Sequence, residues 1–343
     1  MTPKERVKAI LERKPVDRIP VDLWFVPEIY SDLCRYFGID NEEALYQAMG
    51  IDKIIWLPAL YPQTPGRTLW GSRTHSITAG AASYSENVAP GLADCDTLEA
   101  VKQYPYWPKP ANYDYEKMSA EAKRLSQNHA TLGPWISLFE VYCSLRGLEQ
   151  SMMDLVLYPD MVHLILDYIE NIQSEMVSRF LDKNAQYVDM VFISDDIGAQ
   201  QNLMMSVEMW DRFLKDRLHR WCRMIHSYGV KVFYHSDGAI YELIPRLIEA
   251  GIDVLNPIQH VCPGMDRSRL KAEFGEKIIF HGGVENQSIL PFGTPNQVRS
   301  ETLECLKTLG RGREGYICCS CHNIQAGTPV ENIMAMIETV RQV

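Results

Sequence analysis

Eight short apolar or β-branched runs recur along this chain, most of them followed by a turn and then a helical pattern. They begin at Ile19, Ile51, Ala130, Tyr187, Val230, Ile252, Lys277 and Gly315. Such alternation calls for a parallel sheet with right-handed crossovers, and eight is the number of strands that closes one into a barrel. The expected fold is therefore an α/β TIM (β/α)8 barrel, with an open doubly wound sheet as its competitor. Helical stripes fill the connections. Met161, Ile165, Ile169, Ile172, Met176 and Phe180 make one. Trp210, Phe213, Leu214, Leu218, Trp221, Ile225 and Tyr228 make another, and Gly229 suits the left-handed position that ends it. Near the end, Thr328, Pro329 and Glu331 read as a capping box ahead of Ile333, Met336, Ile337 and Val340.

At 343 residues the chain has room for two domains, but no repeat or linker divides it. A single barrel domain over 1–343 is expected, with an N-terminal helix at 3–13. The segment at about 61–115, after the second strand, is rich in Pro, Gly, Ser, Thr and Tyr and has no helical period. It reads as an irregular insertion forming a wall or lid. Thirty-four Lys and Arg against 44 Asp and Glu give a net charge of −10 with no basic run, so nucleic acid is a poor partner. The charged start MTPKERVKAILERKP and the lack of an 18-residue apolar stretch point away from secretion and membranes, toward a cytoplasmic protein. Nine cysteines, an odd number, are expected as reduced thiols free to pack or bind metal.

In such a barrel, function sits at the C-terminal ends of the strands. The fourth run ends in Ser194, Asp195 and Asp196, and the fifth in His235, Ser236, Asp237 and Gly238. The sixth offers Asn256 and Gln259, the seventh His281 and Glu285, the eighth Cys318, Cys319, Cys321 and His322. His235 and Asp237 share a face if extended and make half a zinc site. His322, or Cys321 beside it, would complete three protein ligands and leave a fourth position open. The alternative is a hydrogen-bonded pair without metal. Asp195 and Asp196 point to opposite faces, and Asp196, nearer the loop, is expected in the pocket as a catalytic group unless it caps a loop. His281 is expected to orient substrate, or else to lie buried against a carbonyl. Asn256 and Gln259 suit amide or carboxyl recognition or structural bridging, and Glu285 is a substrate contact or a surface loop residue. Cys318 to Cys321 is a C-x-x-C in a strand rather than at a helix start, where redox pairs gain reactivity. Gly310, Gly312 and Gly315 spell a dinucleotide pattern on the wrong side of a strand.

Taken together, the chain resembles the uroporphyrinogen decarboxylase-like superfamily, and within it the corrinoid-dependent methyltransferase branch. The resemblance spans Asp17-Arg18-Ile19-Pro20-Val21, Gly133-Pro134, Asp195-Asp196-Ile197-Gly198 and His235-Ser236-Asp237-Gly238. It continues through Gly251 to Pro257, Gly282-Gly283 and Thr328 to Asn332. The decarboxylases' arginine-rich N-terminal grip is missing from Val21 to Pro27, which leaves porphyrinogen decarboxylation as an alternative only. In thiol-methylating relatives zinc sits on a His-x-Cys pair and a later Cys. By position His235 matches the histidine, Asp237 replaces the first cysteine and His322 the second, so the soft ligands that suit thiol activation are gone.

The resemblance implies a methyltransferase that moves a methyl group from an O- or N-methylated small molecule to the cobalt of a separate corrinoid protein. Zinc is the implied cofactor, and Asp196, His235 and His281 the implied catalytic residues. Trp24, Trp56, Tyr61 and Trp135 are available to hold an aromatic ring or a methylammonium group, or else belong to the core. Transfer from methylcorrinoid to a thiol or folate, and a non-catalytic ligand-binding barrel, are the other readings; a homodimer is left open.

Overall fold

Seven of the eight apolar runs form strands of one parallel sheet in the computed structural model, which describes residues 1–79 and 82–343. In chain order the strands are β1 (Ile55–Trp56), β2 (Arg73–Ala79), β3 (Ala82–Ala89), β4 (Thr131–Ile136) and β5 (Met190–Ser194). Then come β6 (Lys231–His235), β7 (Val254–Asn256), β8 (Ile279–His281) and β9 (Tyr316–Ile317). The parallel sheet runs β1-β4-β5-β6-β7-β8-β9, while β2 and β3 pair only with each other. The first run, from Ile19, forms no regular strand, which corrects the expectation; Pro20 has no N–H to give to a ladder. It closes the ring all the same. Cys318 N–H donates to Pro20 O at 2.9 Å and Asp22 N–H to Cys318 O at 2.9 Å, while on the other side Asp52 N–H donates to Val21 O at 2.7 Å. The fold is a TIM barrel.

Side-chain alternation sorts each strand between two cores. Leu132, Met190, Phe192, Phe233, Val254, Ile279, Ile317 and Cys319 fill the interior together with Trp24 and Ile54. Val191, Ile193, Val232, Tyr234, Leu255 and Phe280 face outward into the helix layer. The N-terminal helix, Pro3–Leu11, starts on a capping box between Thr2 and Glu5. Its Val7, Ile10 and Leu11 join the interior cluster and plug the barrel at the end opposite the strand C-termini.

Two local expectations change. The segment at 61–115 is partly regular, with the antiparallel hairpin β2–β3 and a helix at Leu98–Lys102. Its strands were illegible because their alternation is carried by Ser, Thr and Asn instead of apolar residues; residues 80 and 81 lie outside the described ones. The last helix, Val330–Gln342, has no side-chain cap, and the Thr328 hydroxyl donates instead to Gln325 O at 2.8 Å. The helix stripe Ile333, Met336, Ile337 and Val340 is buried as expected. Among the described residues no helix is long and apolar enough to cross a membrane, and all nine cysteines are unpaired.

Asp52 ties the closing seam to the plug. Fully buried, it accepts from Arg6, from Arg18 at 2.5 Å and from the Val21 N–H at 2.9 Å. Breaking a buried ion pair from one side costs about 3–5 kcal/mol, because a desolvated charge is left without its partner. Asp52→Ala is expected to lower stability by that amount, read as a fall in the urea midpoint; an unchanged midpoint would refute this role for Asp52.

Candidate metal and catalytic site

The C-terminal rim is built around a row of buried polar groups. His235 ends β6, Asn256 ends β7 and His281 ends β8, all pointing into the barrel because each lies two residues beyond an interior position. Asp22, from the closing segment, faces His281 Nε2 at 3.2 Å. Asn256 Nδ2 lies 2.8 Å from His281 Nδ1, and Asn256 Oδ1 lies 2.5 Å from His235 Nδ1. Three side chains from strand ends and one from the closing segment thus form one connected chain. Burial alone would raise the Asp22 carboxyl, but the Lys53 ammonium at 3.2 Å and the His281 bond outweigh it and hold it well below the usual range. Burial also pushes His281 down, against the pull of Asp22.

At the open end of this chain His235 meets Asp237 and His322. One ligand atom from each of the three lies within 4.8 Å of the others, and His322 Nε2 is 3.9 Å from Asp237 Oδ2. Around a zinc ion held at about 2 Å, tetrahedral donors stand about 3.3 Å apart, so a contraction of roughly 1 Å would seat one. Two imidazoles and a carboxylate are suited to borderline divalent cations and leave a coordination position open. The donor set fits zinc. Burial raises the Asp237 carboxyl and lowers His322, each opposed by the other's charge.

Asp196 stands over the same group, with its Oδ1 accepting from the Asp237 N–H at 2.9 Å and lying 3.8 Å from His235 Nε2. Two glycines allow this approach. A Cβ on Gly198 would fall 2.2 Å from Asp237 O, and Gly238, at φ 88°, would place one 2.6 Å from Ala199 O. Asp195 points the other way, as its place in the strand predicts. It accepts from the Ser137 hydroxyl at 2.8 Å and from the N–H groups of Leu138, Phe139 and Glu140, capping the helix Phe139–Arg146. Burial pushes its carboxyl up to about 6 against those bonds.

Other candidates take different places. Cys321 is not part of the three-residue group; its buried thiol donates to Ile258 O at 3.3 Å, although it lines the adjoining cleft. That cleft, about 610 Å³, is also lined by Gln200, Asp237, Gln259, His322 and Phe292. Gln259 accepts from Gly238 N–H at 2.9 Å and so braces the loop that carries Asp237. Glu285 is turned into its own loop, accepting from the N–H groups of Gln287 and Ile289, both at 2.6 Å, and from the Ser288 hydroxyl at 2.7 Å. Trp24 lies in the barrel floor with its indole N–H on Asp22 at 2.8 Å, and Trp56, 38% exposed and 5.2 Å away by ring centroid, is the member of that stack that reaches solvent. Tyr61 accepts from Lys109 N–H at 3.2 Å inside the insertion and lines a separate cavity.

Sequence reasoning missed three residues here. Asp22 and Lys53 anchor the polar row, and the signal was an acid and a base inside two apolar runs. Glu140 is the third. It accepts from Ser194 Oγ, and Ser194 is the register partner of His235 on the neighbouring strand. Burial pushes the Glu140 carboxyl up to about 8, with Asp195 and Asp196 adding to the shift and the Ser194 bond opposing it. A shift of that size favours the protonated acid at neutral pH.

Comparison with known proteins gives three findings. The uroporphyrinogen decarboxylase (URO-D) family profile matches residues 74–343. Curated uroporphyrinogen decarboxylases of Microcystis aeruginosa and Crocosphaera subtropica are 21% and 23% identical over 184 and 185 residues, 54% of this chain in each case. The alignments cover 49% and 48% of those proteins, so the chain spans about half the length of the curated relatives it matches. Among solved structures, a methyltransferase from Methanosarcina mazei superposes with a TM-score of 0.69 at 18% identity, covering 100% of this chain and 99% of that one. That likeness is one of fold.

Proposed function

The chain belongs to the uroporphyrinogen decarboxylase (URO-D) family, and from that premise we propose that it is a methyltransferase acting on a methylated small molecule, with a corrinoid protein as acceptor. The observation that carries the reading is the convergence of His235, Asp237 and His322 with the carboxylate of Asp196 at one rim, beside Glu140, whose carboxyl burial pushes up to about 8. Cobalt(I) needs no help as a nucleophile, so what the protein must improve is the leaving group. A zinc ion held by His235, Asp237 and His322 would supply Lewis acidity to the oxygen or nitrogen that loses its methyl group.

The chain's own residues do the rest. Glu140 gives its proton to that oxygen or nitrogen as the bond to methyl breaks, and Asp196 holds the Asp237 loop in place through its bond to the Asp237 N–H. Trp56 offers a face for an aromatic ring or a methylammonium group. Arg6 and Arg18, the two cations of the N-terminal region nearest the closing segment, are spent on Asp17 and Asp52. With Asp196 and Asp237 at the rim, this charge pattern opposes a polycarboxylate such as a porphyrinogen. Two imidazoles and a carboxylate in place of thiolates favour an O- or N-methyl donor over a thiol acceptor.

Incubating the protein with reduced corrinoid protein and a panel of aromatic ethers, methylamines and betaines tests this directly. One class should convert the cobalt(I) absorbance to that of methylated corrinoid, and silence across all three would end the proposal.

A further inference from the structure

We infer that Asp22, His281 and Asn256 act as positioning residues that dictate which nitrogen of His235 carries its proton, leaving Nε2 as a bare lone pair toward Asp237 and His322. The inference deepens the metal-site reading and rests on it for its purpose, though not for its geometry.

Asp22 sets the direction of the whole row, because a carboxylate can only accept. Its Oδ1 is taken by Lys53 Nζ at 3.2 Å and Ile54 N–H at 3.1 Å, and its Oδ2 by the Trp24 indole at 2.8 Å and by His281 Nε2. The proton of His281 therefore sits on Nε2. Nδ1 then faces Asn256 Nδ2 at 2.8 Å, a group that can only donate, so Nδ1 accepts; burial, which lowers His281, works in the same direction. A second, longer contact favours the same orientation of the amide. Asn256 Nδ2 also reaches the His281 backbone carbonyl at 3.4 Å, which can only accept. Asn256 Oδ1 is then left for His235, so His235 Nδ1 must donate and Nε2 is unprotonated. A neutral imidazole oriented by a bond from its other nitrogen is what a metal ligand requires. Three residues pass that requirement from a buried ion pair to the cleft.

The same logic predicts a reversal. In Asp22→Asn the amide oxygen is best spent on Lys53 and the Ile54 N–H, two donors against the one of the Trp24 indole, so its NH2 takes the other side, gives up the indole bond and turns to His281 Nε2. The His281 proton moves to Nδ1, where it is a stronger partner for Asn256 than the 3.4 Å contact to the His281 carbonyl; Asn256 rotates to accept it, and its NH2 then meets His235 Nδ1. His235 is forced to carry its proton on Nε2, where the metal would bind.

Long-range nitrogen–proton correlation spectra of the intact, metal-free protein with labelled histidine read both tautomers, with assignments from His235→Gln and His281→Gln. Expected in the wild type are His235 protonated on Nδ1 and His281 on Nε2, with both reversed in Asp22→Asn and zinc affinity about 10–100-fold weaker. A wild-type His235 protonated on Nε2 overturns the inference even if the variant does not fold, as does an Asp22→Asn protein with unchanged tautomers. The expected tautomers in a wild type that takes up no zinc would uphold the relay and overturn the metal reading.

Discussion

On the proposed function, replacing His235 with alanine will remove bound zinc and abolish methyl transfer while leaving the barrel folded. Asp237 and His322 alone cannot hold a catalytic cation, because three protein ligands are the usual minimum. Loss of the Lewis acid should cost at least about 10²–10³-fold in kcat, the range seen when a single stabilising group is removed from a developing charge. The structural cost is smaller. Truncation strands the Asn256 Oδ1, a penalty of about 1–3 kcal/mol. The ring's packing beside Trp24 and Phe192, at centroid distances of 6.1 and 5.9 Å, is also lost. A domain stabilised by about 5–15 kcal/mol can absorb that. Metal analysis, the corrinoid absorbance assay and a urea melt on one preparation separate these effects. Stoichiometric metal together with a wild-type rate in the alanine variant would remove His235 from the site.

Glu140→Gln should lower kcat by about 10²–10⁴-fold, the usual contribution of a positioned general acid. The substitution is nearly isosteric and keeps an acceptor for Ser194 Oγ, so the loss is of the proton and not of the packing. The pH profile gives the sharper signature. Burial raises Glu140 from the usual 4.5 to about 8, so the acid form predominates up to that pH and activity should fall as pH rises through it. That basic limb should vanish in the glutamine variant. Stability follows the same sign. Between 4.5 and about 8 the folded protein holds a proton that the unfolded chain has released, so this contribution is complete below 4.5 and lost as pH rises through 8. A basic limb near 8 that persists in Glu140→Gln would assign it to another group.

How far the sequence reached can be judged residue by residue. The interior positions of β5 and β6 were legible because a strand alternates by two, and a strand-end residue inherits its direction from that count. This is why Asp196, and not Asp195, could be placed beside His235. His322 was reachable from its position after the eighth run. Glu285 was not legible, because whether a carboxylate faces a cleft or caps its own loop depends on the turn that follows, which leaves no periodic trace. Cys321 and His322 were equally near in sequence, and only the path of the chain beyond β9 turned the thiol toward Ile258 and the imidazole toward Asp237. Glu140 was hidden because an acid in the first turn of a helix is ordinary, and only its burial in the folded chain, reinforced by Asp195 and Asp196, raises its carboxyl toward the protonated form.

What the sequence determined by itself was the barrel, since eight apolar runs separated by helical stripes leave few ways to bury both faces of a sheet. It also determined the set of polar residues delivered to the strand ends. Only the tertiary structure decided which of these meet. Closing the ring brings Asp22 and Lys53 from the first two runs against His281 from the seventh, across 259 residues of sequence in the case of Asp22 and His281. Periodicity reports the direction of a side chain relative to its own strand, whereas a hydrogen bond depends on the distance and angle to a partner on another strand, which only the folded chain fixes.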